Sequence, residues 1–221
     1  MSGEQDWDRA RWLWLAVLAG GISFFVAVYL RLDGPAIWAW KTSGVGLLAA
    51  WAAANAREKN GWLIAAVLGF GALGDYLLDA KGLIVGALAF AVGHLIAIIL
   101  YLTNRRAQMT PSQRLLGWLT MPATLAIVWG MLSPAPGWWH AAVYSLFVAA
   151  MAAAAWTSRF PRYRTGIGAM MFLASDLFIF AGEGGVLSRD VTMWLVWPLY
   201  FAGQALIAWG VVSTLAKEAR T

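Results

Sequence analysis

The chain has no cysteine, few histidines and little charge. Of its 221 residues, 12% are Asp, Glu, Lys or Arg and 61% are hydrophobic, whereas soluble domains carry about 25% charged residues. The absence of cysteine excludes disulfides and thiolate chemistry, and two histidines leave few ligands for a zinc site. We therefore predict an all-α integral membrane protein without a metal site.

Eight apolar segments approach the length of about 20 residues that a membrane-spanning helix needs. Tryptophans lie near the ends of many of them, which is typical of an interfacial aromatic belt. The sequence thus predicts a single transmembrane helical domain over 1–221, with short tails at 1–11 and 216–221. The predicted spans are 12–30, 37–54, 61–78, 83–102, 115–132, 138–156, 166–182 and 193–215.

The positive charges predict the orientation of these spans. Arg31, Lys81 and Arg189 lie in the odd-numbered loops, and Lys41 lies inside the second span. Positive residues concentrate on the cytoplasmic side of membrane proteins, so we expect both termini in the cytoplasm and the protein in the cell (inner) membrane. The sequence contains no basic stripe of the kind that binds nucleic acid, so we expect no nucleic-acid partner. The N-tail, even-numbered loops and C-tail hold the other 12 of the 16 basic residues: Arg9, Arg11, Arg57, Lys59, Arg105, Arg106, Arg114, Arg159, Arg162, Arg164, Lys217 and Arg220.

Two aspartates interrupt segments that are otherwise apolar. Asp75 lies near the outer end of the third span and Asp176 in the outer half of the seventh. An ionisable group at membrane depth costs a few kcal/mol on insertion scales and ~10 or more in some simulations, so both are candidate catalytic residues. One could stay protonated as a general acid while the other acts as a base or an electrostatic partner. Glycines that would allow close helix approach flank both: Gly71, Gly74, Gly166 and Gly168.

Lys41 and Asp79 are candidate substrate-binding residues. Asp79 follows Asp75 by four positions, so the two carboxyl groups share a helix face, although Asp79 could be a solvated end residue. Lys41 could extend to the outer headgroups or hold a lipid phosphate. The structural alternative for Asp75 is an ion pair with Lys41 or Arg31.

His94, Tyr200 and Gln204 complete the predicted polar layer. His94 could act as a proton shuttle, a carboxylate partner or an interhelical hydrogen-bonding group. Tyr200 and Gln204 are four residues apart, and they could orient substrate or water, or join helices by hydrogen bonds. His140 follows two tryptophans and is expected at the surface. Because spans one, five and six carry almost nothing ionisable, the polar residues suggest a single cavity.

Short motifs recur in order along both halves of the chain. They are LGDYLL at 73–78, GHL at 93–95, FLASD at 172–176 and YFAGQALI at 200–207. A parallel duplication of four helices would explain the repetition. Together, over roughly 41–209, these motifs resemble the lysoplasmalogenase family of polytopic membrane proteins (YhhN-like). The chain has Gly93 and Gly203 where that family commonly has alanine, and Thr42 follows Lys41 where proline is expected.

The resemblance implies cleavage of the vinyl ether bond of lysoplasmalogens, with no metal or organic cofactor. Protonation of the alkene carbon creates an oxocarbenium ion, and a carboxylic acid kept neutral by burial can donate that proton. A second carboxylate can stabilise the cation and orient water, as in glycosidases. Asp75 and Asp176 would share these roles with help from His94. Lys41 and Asp79 would contact the lysophospholipid, and Tyr200 and Gln204 would position water and the ether oxygen.

Two other functions fit the same residues less well. Buried acids also mark proton and ion pathways, so a small transporter or lipid-binding protein is the main alternative. Against transport, Pro122 and Pro198 are expected near helix ends and break no span at its middle. A hydrolase of a lipid amide or ester is disfavoured, because many such enzymes need metal-binding histidine clusters. Neither a Gly-x-Ser-x-Gly nucleophile motif nor an oligomeric state can be identified in the sequence.

Overall fold

The computed structural model describes the backbone of residues 2–219 and the side chains of residues 12–219. These residues form eight α-helices, with a π-helical turn (Arg162–Gly166) before the seventh. The side chains of the predicted N-terminal tail and residues 220–221 of the C-terminal tail lie outside the described part. The helices are α1 (Ser2–Tyr29), α2 (Pro35–Ala54), α3 (Lys59–Lys81), α4 (Leu83–Thr103), α5 (Pro111–Leu132), α6 (Trp138–Thr157), α7 (Ile167–Glu183) and α8 (Arg189–Glu218).

The all-helical fold and the eight predicted segments are confirmed. Among the described residues, seven helices are long and apolar enough to cross a membrane; the one that falls short is α2. It has 20 residues, so its length suffices. Its mean hydropathy is lowered by the polar run Lys41-Thr42-Ser43 and by three tryptophans. The eighth crossing, the cytoplasmic termini and the duplication stay predictions.

The described residues divide into two compact units. Unit 1 comprises those up to Ile96 together with those from Val211 onward, and unit 2 comprises Ala97–Gly210. In unit 1, α2 packs between α1 and α3. Val17, Val45, Leu48 and Leu68 are fully buried there, and this apolar layer fixes how α3 presents its polar face.

Unit 2 is built around α6, which contacts α5, α7 and the π-helical turn. Its alanine-rich stretch 152–155 is largely buried, because small side chains let neighbouring helices approach closely. A close backbone approach joins α7 to α8: a Cβ atom on Gly168 would lie 2.6 Å from the carbonyl oxygen of Gly203. This bears out the expected role of Gly168 in close packing.

Local turn chemistry sets where the helices begin. Before α2, the Asp33 carboxylate accepts hydrogen bonds from the Trp38 indole N–H at 2.6 Å and the Gly34 N–H at 2.7 Å, which together lower the pKa of Asp33. Gly34 has φ of 122°, a conformation that disfavours other residues. Before α5, Thr110 and Gln113 form a reciprocal capping box, so α5 starts a full turn earlier than predicted.

The expectation that Pro122 lies near a helix end is wrong. Pro122 falls at the middle of α5, and Pro198 lies within α8, about a third of the way along it. Proline removes the N–H that would bond to the carbonyl four residues earlier, which for Pro122 is that of Trp118. Membrane helices tolerate this loss, and α5 stays continuous. The position of these prolines therefore no longer counts against transport.

The Gly168–Gly203 contact makes the α7–α8 packing sensitive to one methyl group. Gly168→Ala would place its Cβ against the backbone of α8, at 2.6 Å from Gly203 O and 3.0 Å from Ile207 N. Because backbone cannot move aside as a flexible side chain can, we expect the free energy of unfolding to fall by about 1–3 kcal/mol. Denaturation by sodium dodecyl sulfate in mixed micelles measures it. Gly69→Ala is the control, since nothing lies within 4 Å of its Cβ; equal effects at both positions would refute the contact.

Candidate functional site

An ion pair joins α2 to α3 in unit 1. The Lys41 ammonium contacts both carboxylate oxygens of Asp79, at 3.0 and 2.9 Å. The side chains are 16% and 23% exposed, respectively. Asp79 is therefore not merely a solvated end residue, and it is Asp79 that pairs with Lys41. The pair fixes the rotation of α2 against α3 at the end of α3 that carries both aspartates.

Asp75 lies one turn before Asp79 on α3 and is almost completely buried, with 3% of its surface exposed. The neighbouring Gly74 lies against the Phe90 ring of α4: a Cβ atom there would be 2.7 Å from that ring. Phe90 in turn stacks on the buried imidazole of His94, with ring centroids 6.5 Å apart. Helices α3 and α4 thus each bury one ionisable side chain in unit 1, the carboxyl group of Asp75 and the imidazole of His94.

Asp176 is buried in unit 2, with 6% of its surface exposed. The hydroxyl of Tyr144, on α6, donates a hydrogen bond of 2.8 Å to its Oδ2 atom. The preceding Ser175 donates to the Val196 carbonyl oxygen at 3.1 Å, so its hydroxyl joins α7 to α8. Because this hydrogen bond holds Oδ2, it also fixes the direction in which Oδ1 of Asp176 points. Tyr144 therefore belongs to the polar group around Asp176.

Tyr144 lies in span six, which was expected to carry almost nothing ionisable, and it is a functional candidate that the sequence did not identify. In the sequence, the one feature that distinguishes Tyr144 is that it is followed by Ser145 within an alanine-rich apolar run. Tyrosine is common at membrane interfaces, so the residue was not distinguished from the aromatic belt. The Asp176 contact identifies it because it requires α6 and α7 to be packed together, which sequence spacing does not reveal.

Tyr200 and Gln204 lie on α8, both buried in unit 2. The Tyr200 ring packs against Phe172 at 5.1 Å and Trp197 at 5.8 Å between centroids. Gln204 lies beside Gly203, where α8 closely approaches α7. His140 is exposed, and its Nδ1 lies 2.9 Å from the Gly137 carbonyl oxygen, as expected of a surface residue.

The predicted site residues thus fall into two sets. Lys41, Asp75, Asp79 and His94 belong to unit 1, and Asp176, Tyr200 and Gln204 belong to unit 2. Each set combines a buried carboxyl group with polar and aromatic neighbours. Among the side chains of residues 12–219, no three His, Asp or Glu residues cluster as a metal ion would require.

Long apolar helices that bury carboxyl, imidazole and amide groups define a polytopic α-helical protein of the membrane type. Residues 36–211, most of the chain, match the YhhN family. The chain therefore belongs to the YhhN family, which includes lysoplasmalogenases. Neither a curated protein nor a solved structure matches it.

Proposed function

We propose that this protein is a membrane-embedded hydrolase that cleaves the vinyl ether bond of lysoplasmalogens to a fatty aldehyde and a glycerophospho-headgroup. The observation that carries the proposal is the burial of Asp75 and Asp176, 3% and 6% exposed, in apolar helices of a YhhN family member. Ionisable groups at such positions are costly and are usually functional.

Two carboxyl groups suffice for the chemistry. One, protonated, gives its proton to the second carbon of the alkenyl chain, and the ether oxygen shares the positive charge left on the first carbon. The other carboxylate stabilises this oxocarbenium ion and takes a proton from the water that attacks it. The resulting hemiacetal releases the aldehyde while its proton passes to the glycerol oxygen. Asp75 and Asp176 supply these two groups in our proposal, without assignment between them.

The other polar residues bind and orient the substrate in this proposal. His94, Tyr200 and Gln204 position water and the ether oxygen. Lys41 contacts the phosphate, and its pairing with Asp79 is compatible with this role because an ammonium carries three donors. The carboxylate of Asp79 would hold the ammonium in place while a remaining N–H bonds to the phosphate.

We further propose that all eight helices cross the cell (inner) membrane and that both termini are cytoplasmic. The distribution of positive residues supports this orientation, with 12 of 16 on the side of the termini. Lysophospholipid and surrounding membrane lipids are then the partners expected of the protein, and no cofactor enters the reaction.

The hydrolase proposal is tested with three lysophosphatidylethanolamines that differ only in the first chain: 1-alkenyl, 1-alkyl and 1-acyl. Purified protein in detergent should release fatty aldehyde from the alkenyl lipid alone, since a saturated ether cannot be protonated at carbon. Release of fatty acid from the acyl lipid would instead indicate an esterase. No product from any of the three, with protein that elutes as a single folded species, would refute the hydrolase.

Tyr144→Phe removes the hydroxyl that donates to Asp176 Oδ2 at 2.8 Å. We expect kcat to fall about tenfold with KM little changed, because one misoriented catalytic group costs part of the 10²–10⁴ that general acid–base catalysis supplies. Steady-state aldehyde release measures both constants. Tyr163→Phe, an exposed tyrosine in unit 2, is the control. Should KM rise while kcat stays constant, Tyr144 would bind substrate rather than position Asp176.

Transport remains the second candidate because buried acids also mark proton and ion pathways, and the position of Pro122 within α5 does not count against it. In liposomes, a transporter would take up lysolipid in response to a proton gradient. The hydrolase should release aldehyde at the same rate with or without that gradient.

A further inference from the structure

One end of unit 2 carries six arginines and no acidic residue in the segments that form it. The segments are 103–117, between α4 and the first turns of α5, and 156–166, between α6 and α7; together they contain six Arg, no Lys and no Asp or Glu, a formal charge of +6. We call this set the arginine face: Arg105, Arg106, Arg114, Arg159, Arg162 and Arg164.

Hydrogen bonds hold the two segments together. The Arg106 guanidinium donates to the carbonyl oxygens of Ser158 and Phe160, each at 3.3 Å, and the Arg106 N–H donates to that of Thr157 at 3.1 Å. In the opposite direction, Arg159 Nε donates to the Asn104 side-chain oxygen at 2.8 Å. Arg106 and Arg159 therefore hold the backbones of the two segments together. The other four arginines extend from this fixed backbone.

Arg105, Arg114 and Arg164 are exposed on the arginine face. Arg105 forms a backbone bridge with Ser158, and Arg164 lies over the Trp209 ring at 5.9 Å. Arg114 precedes Gly117 by one turn, and Gly117 packs against Thr157, so Arg114 lies at the same end. Guanidinium groups bind phosphate oxygens through paired N–H donors.

Exposed aromatic and apolar side chains lie beside the arginines. Trp118 is 80% exposed and Tyr163 is 67% exposed, as expected of rings at the level of lipid headgroups. Leu115, one turn before Trp118 on α5, and Leu119, the residue after it, are also exposed and would contact acyl chains. Arg114, Trp118 and Leu119 thus follow one another along α5 as charge, aromatic ring and apolar side chain, which is the order of a phospholipid from headgroup to chain.

We propose that the arginine face binds the phosphate of an anionic phospholipid whose acyl chains lie along the exposed side of α5. A zwitterionic headgroup is a poorer match, because the two segments offer no carboxylate to its amine. Each Arg near a membrane surface attracts anionic lipid. This lipid is distinct from the substrate, since the arginine face lies at the beginning of α7 and Asp176 lies about ten residues further along it, roughly 15 Å.

The test measures which lipid stays bound to the full-length protein. Protein equilibrated in nanodiscs of equal parts phosphatidylglycerol and phosphatidylcholine is extracted into mild detergent, and bound lipid is quantified by mass spectrometry. We expect phosphatidylglycerol to be enriched about fivefold or more over phosphatidylcholine, since one surface arginine accounts for about that factor. The combined variant Arg105→Gln, Arg114→Gln and Arg164→Gln should return the ratio to that of the nanodisc. Arg106 and Arg159 are left intact because they hold the backbone.

A charge-matched control separates a site from general attraction. Arg31→Gln, Lys81→Gln and Arg189→Gln remove three positive charges from the other set of loops and should leave the enrichment intact. Equal loss in both combined variants, or no enrichment in the native protein, would overturn the proposal. So would complete displacement of the lipid by inorganic phosphate, which would indicate a site for the free anion. If the combined variant does not fold, Arg114→Gln alone must still lower the enrichment.

Discussion

Replacing Asp75 or Asp176 with Asn is expected to lower the rate of aldehyde release by about 10²–10⁴, the contribution of a positioned acid or base. Asn keeps the shape of the side chain but can neither give nor take the proton that the reaction needs. Both carboxyl groups are almost completely buried, so water cannot readily replace the lost group. Aldehyde release under saturating alkenyl lysolipid measures the effect on kcat.

The two carboxyl groups are proposed to act in one reaction, which predicts non-additive losses. Residues that act as a unit show this behaviour, and removing both costs little more than removing one. Glu58→Gln in unit 1 and Glu183→Gln at the end of α7 are controls, since both are exposed acids. Full turnover by either aspartate variant would exclude that residue from catalysis, and losses that multiply in the double variant would indicate independent roles.

Lys41→Met is expected to lower the free energy of unfolding by about 2–4 kcal/mol. This is slightly less than the cost of breaking a fully buried ion pair, because both side chains are partly exposed. The variant leaves the Asp79 carboxylate without the ammonium that contacts both of its oxygens, at 3.0 and 2.9 Å. Both side chains are less than a quarter exposed, so water compensates only in part. Denaturation by sodium dodecyl sulfate measures the change.

A double-variant cycle identifies the cause of that loss. Lys41→Met combined with Asp79→Leu removes both charges and should recover most of the stability, because a buried pair can often be replaced by apolar residues at little cost. Lys81→Met is the matched control, as Lys81 is an exposed lysine at the end of the same helix, α3. A double variant as unstable as the two single losses combined would mean that Lys41 and Asp79 stabilise the fold independently.

Hydropathy predicted the helices well because a spanning segment must be long and apolar, and this signal is read over some 20 residues. The helix starts were predicted less well, since they depend on single capping contacts. The capping box of Thr110 and Gln113 is visible in the sequence as Thr-Pro-Ser-Gln, yet the predicted span began at residue 115. That shift contributed to placing Pro122 near a helix end rather than at the middle of α5.

The buried acids were identifiable from sequence because a charged residue in an apolar run is rare and costly. Their partners were not. Whether Lys41 meets Asp75 or Asp79 depends on how α2 is rotated against α3, and both aspartates lie on the same face of α3. Tyr144 was missed for the same reason, because its contact with Asp176 arises only from the packing of α6 on α7.

The decisive measurement is the mass of the aldehyde formed from alkenyl lysophosphatidylethanolamine in D₂O. If a carboxyl group protonates the alkene carbon, the deuterated acid places one deuterium on the second carbon of the aldehyde. Unlabelled aldehyde incubated with the protein in D₂O shows whether exchange after release adds any. We expect one deuterium in the product of the native protein. Aldehyde without deuterium would contradict proton transfer to carbon, and no aldehyde from folded protein would contradict the hydrolase itself.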